Sequence, residues 1–324
     1  MSKTKLLVGA VAVAVAGLAW HFAGNKDATS PVGSMAEQQL NPQEAKSAAL
    51  VKNFEAYLAG TEQTGAYKWE RISTLDDGTA RLHNVSYQAP NMTEQEVIKF
   101  KHFDLQKMTY TSELYEQKVS FEGLSNAEGK SLVQEALYQD DVYKSLGYTG
   151  DLPLSNGEFD LMHDVKNNKA AMSILFKQAD FLNIQVNFAG TQLNDFLDVI
   201  TKTSDKELEE NPMKLVGALS PALIEKLSIQ ANDTGLIERT QKLSDATPLT
   251  MDTCQFSLAM MGISLDDSAC TNFTHFVNGQ QKQLKISINP AQAVAVGKMM
   301  LDLASPTPET IAAIVKDLNL KVEN

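Results

Sequence analysis

Hydrophobic and polar positions along this chain follow first a helical period and then a strand period. From Pro42 to Ala59, apolar side chains recur every three or four residues, which predicts an amphipathic helix. Between 67 and 123, apolar and polar side chains alternate, which is the strand pattern. The predicted strands are Tyr67–Thr74, Thr79–Gln88, Glu96–Asp104, Gln106–Leu114 and Gln117–Gly123. We expect an antiparallel meander, because Asp76-Asp77-Gly78 is a hairpin turn between the first two.

The same two periods alternate through the rest of the chain. Ser125 and Glu128 have capping-box spacing, which predicts a helix from there to about Leu146. A loop with glycine and proline follows at 146–153. The strands predicted after it are Gly157–Val165, Ala170–Lys177 and Phe181–Phe188. Further alternating segments, at 182–187, 227–232 and 284–289, each precede a helical one, and the last, 318–322, ends the chain.

These patterns predict an α+β fold with a long, mostly antiparallel twisted sheet. The predicted strands have one apolar and one polar face, so only one face of the sheet needs to be covered. We therefore expect a domain over residues 44–324 with helices packed on one face of its sheet. The loop region at 147–156 is the best position for an internal boundary.

An apolar segment precedes this domain and predicts a transmembrane helix. Leu6–Ala23 contains eighteen residues without a formal charge. As a helix it spans about 27 Å, close to the roughly 30 Å of a hydrocarbon core. Residues 24–43, in which Gly, Ser, Asn, Gln and Pro are frequent, form a flexible tether to the domain.

The flanks of this segment predict its orientation. Basic residues precede it, so the positive-inside rule makes residues 1–5 a cytoplasmic stub and places the domain outside the cytoplasm. Ring side chains close the segment, as is typical of a lipid–water interface. The predicted membrane-interface residues are Lys3, Lys5, Trp20, His21 and Phe22. The expected location is the bacterial inner membrane, with a single span and the C-terminal domain in the periplasm.

A cleaved signal peptide is the alternative interpretation of the same segment. Cleavage requires small residues one and three positions before the cut. The sequence His21-Phe22-Ala23 has a bulky imidazole at one of those positions, which favours an uncleaved anchor. Both interpretations export the domain.

Charge excludes one class of partner. Lys and Arg number 28 and Asp and Glu number 40, so the formal net charge is −12. Phosphate backbones repel such a chain, and we therefore exclude nucleic acid as a partner. The hydrophobic content of 43% supports a packed core in the exported part.

Cys254 and Cys270 are the two cysteines of the chain. One helix is predicted from Thr250 and a second from Ser264, with a turn between them at Gly262, midway between the cysteines. In such an antiparallel hairpin the two thiols lie at the same level along the helix axes. Outside the cytoplasm such a pair forms a disulfide, and closing a loop of about fifteen residues contributes roughly 3 kcal/mol. Two free buried thiols are the alternative.

The motifs of common enzyme chemistries are missing from the sequence. It contains no Gly-x-Ser-x-Gly, phosphate-binding glycine loop, His-Glu-x-x-His or Cys-x-x-Cys. The histidines outside the apolar segment belong to no ligand or base motif; they are His83, His102, His163 and His275. We assign no catalytic residue, no cofactor and no metal site, and we expect His102 on the polar sheet face. These absences do not bear on an active site that is assembled from residues distant in the sequence.

The layout resembles that of uncharacterised bacterial envelope proteins with one N-terminal anchor and a large periplasmic α+β domain. The resemblance depends on Lys3, Lys5 and Leu6–Ala23, and on alternating strands such as Arg81–Tyr87. It implies a fold and a location, and it assigns no functional residue.

Three functions are compatible with these observations. The first is a non-enzymatic envelope protein that binds a protein partner or acts in an envelope assembly, because an anchored domain with a free polar sheet face suits such a role. The second is a carrier of lipid or another apolar ligand, since a sheet backed by helices can enclose an apolar cavity. The third is a hydrolase whose site is not local in sequence.

Overall fold

The structure is a computed structural model of the chain. It describes residues 40–324 except 61–62, 89–95, 139–141, 204–206, 208–209, 244–247, 261–262, 264 and 266. The predicted stub, apolar segment and most of the tether therefore lie outside the described residues. No helix in the described part of the chain is both long and apolar enough to span a membrane.

One antiparallel sheet runs through the described part of the chain, as predicted. Its strands are β1 (Tyr67–Lys68), β2 (Arg71–Thr74), β3 (Ala80–Tyr87), β4 (Ile98–Tyr110), β5 (Leu114–Leu124), β6 (Ser155–Asp164), β7 (Lys169–Lys177), β8 (Leu182–Thr191), β9 (Leu223–Asp233), β10 (Gln283–Ile288), β11 (Val294–Ala295) and β12 (Lys321–Glu323). Their order in the sheet is β1-β3-β4-β5-β6-β7-β8-β9-β10-β12, with β2 paired to β3 and β11 to β9. The central strands are neighbours in both sequence and space, so the sheet is a meander.

Helices connect and cover these strands. They are α1 (Pro42–Gly60), α2 (Leu132–Tyr138), α3 (Val142–Ser145), α4 (Asn194–Lys202), α5 (Pro212–Leu219), α6 (Leu236–Gln241), α7 (Met251–Met260), α8 (Asp267–Val277), α9 (Val296–Ala304) and α10 (Pro308–Leu318). Apolar side chains of α1, α2, α3, α6 and α8 join those of one sheet face in the main core. Those of α4, α5 and α9 join the same face in a smaller cluster around Phe188 and Ile224. The expected packing of helices on one face is confirmed for these elements.

Helix α1 shows how the main core is built. Asn41 Oδ1 accepts from the Glu44 backbone N–H at 2.9 Å, and Glu44 Oε2 accepts from the Asn41 N–H at 3.0 Å, so both side chains cap the helix start. The apolar side of α1 lies on β4, where the Phe54 ring packs against Phe103 with a centroid distance of 6.0 Å. Phe54 is 1% exposed, and burying such a side chain contributes about 1.5–3 kcal/mol.

The predicted cysteine pair is joined. The sulfur atoms of Cys254 and Cys270 lie 2.08 Å apart, as in a disulfide bond, and they connect α7 to α8. Cys254 is the only buried residue of α7, whereas Phe256 and Met260 on the same helix are 67% and 73% exposed. The bond therefore attaches a helix that contributes little to the apolar core.

Short strands form both margins of the sheet. At one margin β1 and β2 have two and four residues, and at the other β11 and β12 have two and three. Each pairs with only part of a longer strand. Short margins leave few unpaired backbone groups in one continuous row.

Three sequence predictions were wrong at the level of single elements. The strand predicted at Tyr67–Thr74 is two strands, β1 and β2. The strands predicted at Glu96–Asp104 and Gln106–Leu114 are one strand, β4, whose pairing with β5 shifts between Leu105 and Lys107. The shift is a bulge, and it reverses the alternation without ending the strand.

The capping box predicted at Ser125 and Glu128 was also wrong. Ser125 forms a bridge with Lys99, and the Asn126 side chain accepts from the backbone N–H groups of Glu128 and Lys130, which holds a turn there. The helix begins only at Leu132, and the helical segments α2 and α3 lie on either side of the undescribed residues 139–141.

Candidate functional site

The sheet face opposite the helices, here called the open face, is the candidate functional surface. Cross-strand pairing places Arg81, Asp104 and Ser120 side by side on it, and places Ser173, Asn187 and Ser228 side by side further along. Side chains on this face are half-buried or exposed, apart from Asp104 at 8% and Ser228 at 6%. The open face carries charges of both signs on β2–β6, whereas on β7–β10 it carries mostly amides and hydroxyls, with lysines at Lys169, Lys177, Lys226 and Lys285.

An ion pair fixes the charged half. Arg81 on β3 donates from Nε to Asp104 Oδ1 at 2.8 Å and from Nη2 to Asp104 Oδ2 at 2.7 Å. Such a bidentate pair is stronger and more directional than a single contact. The carboxylate of Asp104 raises the pKa of Arg81 further through these hydrogen bonds. The two strands are therefore held in register by charge as well as by their ladder.

Next to this pair lies a chain of polar contacts that involves two imidazoles. Ser73 Oγ on β2 and His83 Nε2 on β3 share a hydrogen bond of 2.7 Å. The His83 ring meets the His102 ring edge to face, with centroids 5.1 Å apart. His102 Nδ1 in turn donates to Glu122 Oε2 on β5 at 3.0 Å. We call Ser73, Arg81, His83, His102, Asp104 and Glu122 the charged cluster.

The environment changes the protonation of two of these groups. Burial lowers the pKa of His83, and the nearby positive charge of Arg71 lowers it further. The hydrogen bond from His102 lowers the pKa of Glu122, and Lys101 adds to this effect. At neutral pH, His83 is therefore held as a neutral imidazole and Glu122 as a carboxylate.

This arrangement suits binding and proton exchange more than metal coordination. No group of three or more His, Cys, Asp or Glu residues that could hold a metal ion occurs among the described residues. The neutral imidazole beside the Ser73 hydroxyl is the pairing of base and nucleophile that hydrolysis uses. Arg71 and Lys118 are exposed on the same half, and neither forms an ion pair within the described residues.

The other half of the open face carries amide and hydroxyl side chains. They lie on β7–β10 and are Ser173, Asn183, Gln185, Asn187, Ser228, Gln230, Asn232, Gln283 and Ser287. We call this set the neutral patch. Ser173 Oγ donates to Asn187 Oδ1 at 2.8 Å, and Asn187 Nδ2 donates to Ser228 Oγ at 3.2 Å, so a hydrogen-bonded row crosses three strands.

The predicted site residues have different outcomes. Cys254 and Cys270 are brought together, as described above. The predicted membrane-interface residues, Lys3, Lys5, Trp20, His21 and Phe22, lie outside the described residues. The placement of His102 on the polar sheet face is confirmed by its contact with Glu122.

Sequence reasoning missed the charged cluster, although one signal pointed to part of it. The turn at Asp76-Asp77-Gly78 fixes the β2–β3 register, which pairs Ser73 with Arg81 and so brings Ser73 close to His83. The contact of His83 with His102 depends on the register between β3 and β4, and that of His102 with Glu122 depends on the β4–β5 pairing, which shifts at Leu105 and Lys107; alternation alone gives neither.

Comparison with known proteins assigns no family. No protein-family model matches the chain, and no curated protein matches its sequence significantly. Any function proposed for the chain therefore has to be argued from its own residues.

Proposed function

We propose that this chain is a non-enzymatic binding protein of the bacterial envelope, anchored in the inner membrane through residues 6–23 and facing the periplasm. The charge pattern of the N-terminal segment supports the location. The joined cysteines support it independently, since disulfides persist in oxidising compartments. In this proposal the charged half of the open face, on β2–β6, binds a protein partner.

The observation that carries the proposal is the charged half of the open face. It presents cations and carboxylates in similar numbers on a chain whose formal net charge is −12. The Arg81–Asp104 pair keeps this surface rigid, while Arg71 and Lys118 remain available to carboxylates of a partner. Arginine is enriched at protein interfaces because its planar group binds carboxylates with two hydrogen bonds.

The test is the size of the complex that the full chain forms in its own membrane. Tagged chain is solubilised in mild detergent and its size is measured by native electrophoresis. We expect a discrete complex larger than the chain, and we expect the double variant Arg71→Glu/Lys118→Glu to lose it. The matched control is Lys169→Glu/Lys226→Glu, which makes the same charge change on exposed lysines of β7 and β9.

Two outcomes would overturn this proposal. One is a chain that migrates alone before any substitution. The other is a complex that the control variant disrupts as strongly as the Arg71→Glu/Lys118→Glu variant, because general charge would then explain the loss.

Hydrolysis is the second candidate function, and the 2.7 Å contact between Ser73 Oγ and His83 Nε2 favours it. A neutral imidazole can accept the hydroxyl proton as the oxygen attacks an ester carbonyl. An activated Ser73 would be labelled by a fluorophosphonate probe, and His83→Gln would abolish the labelling. Equal labelling of wild type and Ser73→Ala, with Ser120→Ala as the control, would reject this function.

The apolar-ligand alternative stays a prediction. The sheet side chains beneath α1, such as Phe103 and Leu105, are completely buried, so a lipid there would have to displace packed groups. Mass spectrometry of the purified chain tests it, because a carrier retains lipid in stoichiometric amount.

A further inference from the structure

The neutral patch differs in chemistry from the charged cluster. Its side chains form three parallel rows across β7–β10. Ser173, Asn187, Ser228 and Ser287 form the first row; Gln185 and Gln230 form the second; Asn183, Asn232 and Gln283 form the third. Neighbouring strands are about 4.8 Å apart, so hydrogen-bonding groups repeat at that interval across the sheet.

The centre of the patch is fixed before any ligand arrives. Asn187 Oδ1 accepts from Ser173 Oγ at 2.8 Å and from Gln185 Nε2 at 3.5 Å, while its Nδ2 donates to Ser228 Oγ at 3.2 Å. Ser228 is 6% exposed. Side chains already held in one rotamer lose little entropy on binding, so such a network favours recognition by hydrogen bonds.

The periphery of the patch offers amides to solvent. The side chains of Gln230, Asn232, Gln283 and Ser287 are half-buried, and they donate to and accept from no residue that the structure describes. An amide presents both donors and an acceptor, and a hydroxyl does the same. This combination matches ligand hydroxyls, which also donate and accept.

Two lysines in the rows of the patch are paired with carboxylates, whereas Lys226, two residues before Ser228 on the same face, is exposed at the margin of the patch. Lys285, in the row of Gln230, lies 3.4 Å from Glu323, and Lys177, at the end of β7, lies 3.3 Å from Glu158. Leu175 stands beside Gln185 in the same row and adds a small apolar contact surface. No aromatic side chain belongs to the patch, whereas the centres of protein interfaces are enriched in aromatic residues.

From these observations we infer that the neutral patch binds an uncharged, polyhydroxylated chain, that is, a neutral oligosaccharide lying across β7–β10. The amides and hydroxyls would exchange hydrogen bonds with sugar hydroxyls, and the Leu175 side chain would contact the C–H groups of a sugar ring. The strand interval is close to the length of one sugar unit in an extended chain, so successive units can meet successive strands along a row. This binding does not depend on the partner proposed for the charged cluster.

Isothermal titration of the full chain in nanodiscs tests the inference. The probes are chitohexaose and maltohexaose, which are uncharged, and a galacturonic acid hexamer, which is acidic. We expect one or both neutral hexamers to bind and the acidic hexamer to bind at least tenfold more weakly. Gln230→Ala/Asn232→Ala removes two unengaged amides and should raise the dissociation constant about tenfold, by the loss of two hydrogen bonds.

Control variants test whether the binding is specific to the neutral patch. Gln43→Ala/Gln292→Ala removes two exposed amides away from the patch and should leave binding unchanged. Arg71→Glu/Lys118→Glu should also leave it unchanged, so a failure of the protein-partner proposal does not affect this test. Absence of binding by both neutral hexamers at millimolar concentration, equal binding of the acidic hexamer, or an equal effect of the control variant would overturn the inference.

Discussion

The carboxylate of Asp104 is buried on a face where most polar groups reach solvent, and among the described residues its ion-pair partner is Arg81. Their side chains are 12% and 28% exposed. Asp104→Ala removes both hydrogen bonds of the guanidinium and leaves a partly buried charge unpaired, so we expect a loss of about 2 kcal/mol of unfolding free energy. The measurement is the urea midpoint of the purified chain.

A second ion pair on the same strand is the control for this experiment. Lys107 and Glu116 are 2.8 Å apart, but Lys107 is 56% exposed, so Lys107→Ala should change the free energy by no more than about 0.5 kcal/mol. Equal losses in the two variants would show that burial does not distinguish the pairs.

His83 gives the fold a dependence on pH. Burial, followed by the charge of Arg71, lowers the pKa of His83, so the folded chain binds fewer protons at this residue than the unfolded chain. Its contribution to stability is present above the unfolded pKa of about 6.5 and is lost as the pH falls from there towards the folded pKa.

The matching measurement compares urea midpoints from about pH 7 down to about pH 5, the range in which histidine changes charge. Wild type should lose more stability over this range than His83→Gln. Arg71→Gln should raise the NMR titration midpoint of His83, because a repelling charge is removed, while Lys130→Gln should leave it in place. Parallel pH curves for wild type and His83→Gln would contradict the assignment.

At the scale of elements, α7 depends on its disulfide. Cys254 alone among its residues is buried, so Cys254→Ser/Cys270→Ser removes most of what holds the helix. We expect a loss of roughly 3 kcal/mol, from the closure of a loop of about fifteen residues. Hydrogen exchange should accelerate first in 251–260, while β4 and β5 keep their protection. Uniform acceleration across the sheet would instead show that α7 supports the whole core.

Elements with a local signal could be predicted from the sequence. The capped helix α1 and the hairpin at Asp76-Asp77-Gly78 are each specified by a sequence signal that spans only a few residues. The bulge at Leu105 and Lys107 could not be predicted, because a bulge is defined by the pairing of two strands. The sequence of β4 by itself shows only a break in the alternation of apolar and polar side chains. The late helix start at Leu132 was missed because the Asn126 side chain accepts from the backbone N–H groups of Glu128 and Lys130 and holds a turn there.

At the scale of the whole molecule, the strand period predicted the layer arrangement but not the composition of a site. Alternation assigns His83 and His102 to one face of the sheet, whereas their ring contact depends on the β3–β4 register. The neutral patch likewise exists only after four strands are aligned. The alternation within one strand shows which side chains share a face of the sheet. Which side chains become neighbours depends on how the strands pair, and a single sequence specifies that pairing weakly when the connection between the strands is long.

The predicted topology can be tested with reporters at the C-terminus. Alkaline phosphatase fused after Asn324 should be active in bacterial cells, and green fluorescent protein at the same position should be dark when exported through the general secretion route. Exchanging Lys3 and Lys5 for Glu should weaken this orientation, because it depends on positive charge on the cytoplasmic side. A bright fluorescent fusion would place the domain inside the cell and remove the reason for a disulfide.

The short strands at the two margins have a consequence for self-assembly. A row of unpaired backbone groups only two to four residues long gives a second copy few groups to pair with, which disfavours end-to-end association of the sheets of two molecules. Lengthening β12 by several β-branched residues would create a template for fibril growth. The short margins thus protect a wide sheet from adding strands of a second molecule.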